Sequence, residues 1–200
     1  MDRGIQIPAI QQPVIEGAME FAGAHLHRGE SVAIAGRNGA GKTVLLKALL
    51  YKMKKNIGWV SNYREPFLDM RVQEVIEIAQ MNQTLIKTEH ILKSFSLINL
   101  RNHGVNVLSD GEFMRLMLAR VTAQDPEVFL LDEPDAHLDF YYKQELKSIV
   151  QDWLNNGKVV IYSTHDEQWV RSAGQLWWVE NGRVNKEEAA HFEFRKIGNR

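Results

Sequence analysis

Gly36-Arg37-Asn38-Gly39-Ala40-Gly41-Lys42-Thr43 is the stretch that decides the fold. Its glycines, lysine and threonine fill the fixed positions of a phosphate-binding P-loop, G-x-x-x-x-G-K-[ST]. Glycines at such positions let backbone N–H groups close around phosphate oxygens; Lys42 is then expected to reach the β/γ-phosphates and Thr43 to ligate Mg²⁺. The flanks agree with this reading. Ser31-Val32-Ala33-Ile34-Ala35 reads as a short buried strand, and Val44 to Leu50 as a helix whose N-terminal dipole faces the anion.

Outward from this loop the chain alternates strand and helix. Ile57 to Val60 reads as a second strand, Val72 to Gln80 as a helix, and Thr88 to Phe95 as another with Thr88 as its N-cap. Val128-Phe129-Leu130-Leu131 is a continuous apolar run of the buried parallel kind, stopped by Asp132-Glu133-Pro134. Phe140 to Trp153 reads as a helix closed by Asn155-Asn156-Gly157, and Lys158 to Ser163 as a strand. Trp177 to Glu180 and the segment after Asn181-Gly182 form a hairpin, since Asn-Gly favours a type I′ turn. The alternation predicts an α/β fold, a P-loop NTPase core with a mainly parallel sheet. One domain is expected over residues 1–200, with a helical subdomain at about 64–125.

Composition narrows the function. A formal net charge of −1 supplies no basic field for nucleic acid or anionic membrane, so nucleic acid is not an expected partner. The absence of cysteine removes disulfide, thiol and cysteine-metal chemistry. Met1 to Pro13 lacks the apolar core of a signal peptide, and no run of apolar residues is long enough to span a bilayer.

In an open α/β sheet a strand's carboxyl end is the edge at which the P-loop also lies, so Asp132 and Glu133 should reach the phosphates. Asp132 suits the Mg²⁺ side and Glu133 the polarisation of an attacking water. His165, in Ser163-Thr164-His165-Asp166, should emerge at the same edge and sense the γ-phosphate. The remaining histidines show no metal-ligand spacing. Leu108-Ser109-Asp110-Gly111-Glu112 stands 23 residues ahead of Asp132, counted from Ser109, and opens a helix. Ser109-x-x-Glu112 is also a capping box, which gives Glu112 a purely helical role.

Together these five motifs resemble those of ATP-binding-cassette (ABC) ATPases, whose signature is usually Leu-Ser-Gly-Gly-Gln; the resemblance covers about Val14 to Val184. It implies an Mg-dependent ATP hydrolase whose catalytic residues are Glu133, His165 and Lys42. ATP contacts are implied for Gly36, Arg37, Asn38, Gly39, Ala40, Gly41, Lys42 and Thr43, joined in trans by Ser109 and Gly111 of a second subunit. Thr43, Asp132 and Asn62 match the family's Mg²⁺ positions. Asp139, in Glu133-Pro134-Asp135-Ala136-His137-Leu138-Asp139, matches an aspartate that touches the partner's P-loop, and also suits a helix N-cap. The implied partners are a second ATPase subunit and a transmembrane permease, which places the chain in the cytoplasm on the inner face of a membrane. The Ser-Asp-Gly-Glu signature looks most like that of iron-chelate and haem importer ATPases. A soluble ABC-type ATPase in an assembly or regulatory role is the alternative.

Three departures qualify the resemblance. Asn62 stands where the family carries glutamine, one methylene longer. Only one aromatic residue, Phe21, precedes the P-loop, and it reads as core, so the family's aromatic stack on adenine is missing and GTP is expected to substitute in part. Only 67 residues carry the chain from Lys42 to Ser109, so the helical subdomain is trimmed.

Overall fold

A computed structural model describes residues 4–14, 17–53, 56–61, 63–64, 67, 69–80, 87–136 and 138–189. Ten strands are described: β1 (Ile5–Ile7), β2 (Ile10–Val14), β3 (Gly17–Phe21), β4 (Ala24–Leu26), β5 (Ser31–Gly36), β6 (Ile57–Val60), β7 (Val128–Leu131), β8 (Val159–Ser163), β9 (Gln175–Glu180) and β10 (Arg183–Glu187). The helices are α1 (Lys42–Met53), α2 (Val72–Ala79), α3 (Thr88–Ser94), α4 (Asp110–Ala123), α5 (Phe140–Asn155) and α6 (Glu167–Ser172).

Eight strands form one sheet in the order β2-β3-β10-β9-β5-β8-β7-β6. The run β9-β5-β8-β7-β6 is parallel throughout. Its strands are almost wholly apolar because helices cover both faces, which is the physical reason for their unbroken hydrophobic runs. Alternation divides them between two cores. Ala33, Ala35, Phe129, Leu131, Val160 and Tyr162 join the buried side chains of α4, α5 and α6, while Val32, Ile34, Val128, Leu130, Val159 and Ile161 join those of α1. On the first face the Phe129 and Trp153 rings stack at 3.9 Å, fixing α5 against β7. β1 and β4 pair separately and antiparallel, beside the α1 layer.

The helices between β6 and β7 form their own cluster, with α2, α3 and α4 in mutual contact and α4 also against β6. Thr88 is the first helical residue of α3 and not its cap: Lys87 occupies the cap position and the Thr88 hydroxyl donates to Gln80 Oε1 at 2.7 Å. That bond ties the start of α3 back to the end of α2, so the threonine serves the helix pair where the sequence suggested it served one terminus.

Phe21 is 1% exposed and packs on Trp177 with ring centroids 4.7 Å apart, so it belongs to the core as expected. The hairpin after Glu180 turns through Asn181 (φ 49°) and Gly182 (φ 73°), the two positive values a type I′ turn requires.

Candidate active site

The P-loop runs from the end of β5 to the start of α1. Gly36 is needed for close packing, since a Cβ there would run into the carbonyl oxygen of Val179 on β9. Lys42, the first residue of α1, is buried, and its Nζ donates to the carbonyl oxygens of Gly36 (3.3 Å) and Arg37 (3.4 Å). The loop is thus curled around its own lysine. Burial holds the Lys42 ammonium below the ordinary lysine value, and the nearby Glu133 and Asp132 carboxylates pull it partly back. An ammonium with only weakly held carbonyl partners is ready to exchange them for phosphate oxygens. Arg37, Asn38 and Gly39 are exposed at the mouth of the loop.

The acids sit where β7 ends. Asp132 Oδ1 accepts from Thr43 Oγ1 (3.1 Å) and from Ser163 Oγ (2.8 Å), so side chains from α1, β8 and the turn after β7 meet at one carboxylate oxygen. Ser163 Oγ also accepts from the Glu133 backbone N–H at 2.9 Å. Its hydroxyl therefore fixes both acids at once. Glu133 itself has φ 48°, a left-handed conformation unusual for a residue with a side chain. The turn aims its carboxylate at the ring of His165, whose Nε2 stands 3.0 Å from Glu133 Oε1. Both side chains remain about half exposed, 48% for His165 and 40% for Glu133, so water reaches the pair.

Behind them lies a buried layer. Asp135 is 5% exposed and accepts from Thr164 Oγ1 at 3.0 Å, while Thr164 Oγ1 accepts from the Asp166 N–H at 3.0 Å. Desolvation pushes the Asp135 carboxyl above the usual aspartate value. The Asp166 side chain then accepts from Gln168 N and Trp169 N, capping α6 just past His165. His165 is thus braced between the end of β8 and the start of α6.

The structure brings Lys42, Thr43, Asp132, Glu133 and His165 to one sheet edge. It does not bring Ser109 and Gly111 there. They open α4, which packs on α2, α3 and β6, and Ser109 spends its bonds on its own helix: its N–H and Oγ both donate to Glu112 Oε2 at 2.8 Å, and its Oγ accepts from Glu112 N at 3.3 Å. The capping box is therefore formed, and those bonds hold the Glu112 carboxyl below the usual range. Asp139 caps α5 by accepting from Tyr142 N at 2.9 Å. Asn62 and His137 lie outside the described residues.

The oxygen pair of Thr43 and Asp132 suits Mg²⁺, which takes few protein oxygens beside a substrate's phosphates. Among the described residues no group of three or more His, Cys, Asp or Glu forms a separate metal centre. One residue that holds the candidate site together was not singled out from the sequence: Ser163, which read as the last residue of a strand. The signal for Ser163 was a polar residue closing an otherwise apolar strand next to His165.

Comparison with known proteins bears on the family and the fold. The family described as ABC transporter matches residues 22–136. The zinc import ATP-binding protein ZnuC of Acinetobacter baylyi is 32% identical over 164 residues, an alignment covering 75% of this chain and 62% of that protein. The aliphatic sulfonates import ATP-binding protein SsuB 1 of Shouchella clausii is 30% identical over 172 residues, covering 80% of this chain and 70% of that protein. Among solved structures, an ATP-binding subunit of an ABC transporter superposes with a TM-score of 0.77 at 20% identity, covering 92% of this chain and 89% of that one. A dimeric ATP-binding cassette in a post-hydrolysis state with ADP and Pi gives 0.70 at 20% identity, covering 94% and 99%. At these identities the structural likeness establishes the fold.

Proposed function

The chain belongs to the ABC transporter family, and from that premise we propose that it is the ATP-hydrolysing subunit of a membrane transporter. Two copies close head to tail around two ATP molecules, and hydrolysis reopens them to drive a partner permease. The observation that carries this reading is the Glu133–His165 pair at 3.0 Å, set beside Asp132, Thr43 and Lys42 on one sheet edge.

In this reading the P-loop amides and Lys42 take the β- and γ-phosphates, Lys42 leaving the Gly36 and Arg37 carbonyls to do so. Glu133 accepts a hydrogen bond from a water aligned on the γ-phosphorus. As the new O–P bond forms and the bond to the β-phosphate oxygen breaks, ADP leaves and the water's proton passes to Glu133 or to the released phosphate. His165 holds the Glu133 carboxylate, and in this reading its ring also donates to a γ-phosphate oxygen. Thr43 and Asp132 would hold Mg²⁺, which when bound neutralises charge on the β- and γ-oxygens. Ser109 and Gly111 of the second copy complete the site by offering the N-terminus of α4 to the γ-phosphate.

Among the described residues no helix is long and apolar enough to cross a membrane; in this reading the chain meets the membrane through the permease, on the cytoplasmic side. We place that contact in a groove of about 580 Å³ lined by Phe67, Met70, Ile78, Arg120, Gln124 and Pro126. Arg120 Nη2 donates to the Trp59 carbonyl at 2.6 Å and its guanidinium faces the Phe67 ring, but its buried Nε has no hydrogen-bond partner among the described residues.

Replacing Glu133 by Gln tests the mechanism. The water loses its polarising carboxylate while phosphate binding survives, so turnover falls by at least about a hundredfold. Sedimentation with Mg-ATP then shows a dimer; a variant that stays monomeric at saturating Mg-ATP rejects the sandwich. Co-purification of the tagged chain with a detergent-solubilised membrane protein tests the permease, and a clean soluble complex would favour the non-transport alternative.

A further inference from the structure

We infer that Arg64 is a positioning residue which neutralises Asp110 and thereby makes the N-terminus of α4 receptive to the γ-phosphate held by a second copy, an inference that rests on the dimeric reading above. α4 opens with two acids in its first turn, Asp110 and Glu112. Carboxylates there favour the helix dipole, but they repel a triphosphate approaching the same end.

The two acids are handled differently. Glu112 is turned back onto Ser109, with both its bonds spent in the capping box. The Asp110 side chain is 61% exposed and is met by Arg64, whose Nη2 lies 2.6 Å from Asp110 Oδ1. Arg64 Nη1 donates to the Leu108 carbonyl at 2.8 Å, and the guanidinium lies 4.7 Å over the Phe113 ring. Three contacts thus fix a side chain that is only 24% exposed. The guanidinium comes from the segment after β6, 46 residues away in sequence, and not from α4 itself.

The helix does not need the Arg64–Asp110 ion pair for capping, since the Ser109–Glu112 box already caps it and a carboxylate that is 61% exposed gains little from pairing. What it changes is the field at the helix end: with Arg64 present the exposed Asp110 charge is cancelled, and without it that charge faces the phosphate.

The test uses the full chain carrying Glu133→Gln, with Mg-ATP-driven dimerisation followed by sedimentation and a fluorescent ATP analogue reporting single-copy binding. Arg64→Ala is expected to weaken dimerisation by about tenfold or more while analogue affinity stays within about twofold. Adding Asp110→Asn to Arg64→Ala is expected to restore dimerisation to within about threefold of the parent, and Arg64→Lys to retain most of it. A double variant as weak as Arg64→Ala would mean that Arg64 only holds its loop, and overturns the inference; so does an Arg64→Ala variant that dimerises like the parent. A parent that fails to dimerise with Mg-ATP overturns the dimeric reading itself, and this inference with it.

Discussion

Ser163 joins both acids through one hydroxyl, donating to Asp132 and accepting from the Glu133 N–H while fully buried. Replacing it by alanine leaves a carboxylate and an amide each short of a partner, a loss of about 1.5–3 kcal/mol where a charged group is involved. We expect Ser163→Ala to lower kcat by about tenfold or more, with a smaller change in KM, because the phosphate cradle of the P-loop is untouched; steady-state ATPase assays separate the two. Asp135 gives a pH test. Its folded-state carboxyl is raised by burial, so the folded chain takes up that proton before the unfolded chain does. At neutral pH its charged form therefore opposes folding, and that cost is relieved as pH falls into the aspartate range. Asp135→Asn, which still accepts from Thr164, is expected to unfold at a higher temperature than the parent at pH 8, with the difference shrinking toward pH 4 in thermal melts.

Elements matter here through what they place at the sheet edge. β5, β7 and β8 end together, and their last residues or the turns beyond carry Gly36, Asp132, Glu133 and His165. β9 backs the P-loop because Val179 pairs with Gly36. The β9–β10 hairpin sets that strand, and its turn depends on Gly182 at φ 73°. Gly182→Ala should cost about 1 kcal/mol, or roughly 2–4 °C in Tm for a chain of this size, since a Cβ disfavours the left-handed region. Differential scanning calorimetry checks it. The strands were legible because a parallel strand covered on both faces must be continuously apolar, and the hairpin because Asn-Gly favours its turn. The Thr88 cap was misread because a threonine at a helix start looks the same whether it caps its own helix or reaches Gln80 on the preceding one.

At the scale of the whole molecule, the proposed site would offer a nucleotide's phosphates many groups and its base no aromatic from the segment before the P-loop, since Phe21 is buried against Trp177. Base stacking contributes about 1–3 kcal/mol where it occurs, so we expect ATP and GTP to bind within about tenfold of each other in competition titrations. A GTP affinity lower by a hundredfold or more would show that the base is read elsewhere. The sequence by itself determined the P-loop, both acids, His165 and the order of elements from β5 to β10 apart from α6, because each is a local pattern: glycine spacing, an apolar run stopped by charge, a turn dipeptide. It also carried the family, because those patterns recur in a fixed order. Only the tertiary structure decided that Glu133 meets His165, that Ser163 braces both acids, and that Arg64 reaches Asp110. Those contacts join residues 30 to 46 positions apart, across strands and helices whose register is set by packing. A hydrogen bond depends on distances of tenths of an ångström, which a one-dimensional pattern does not contain.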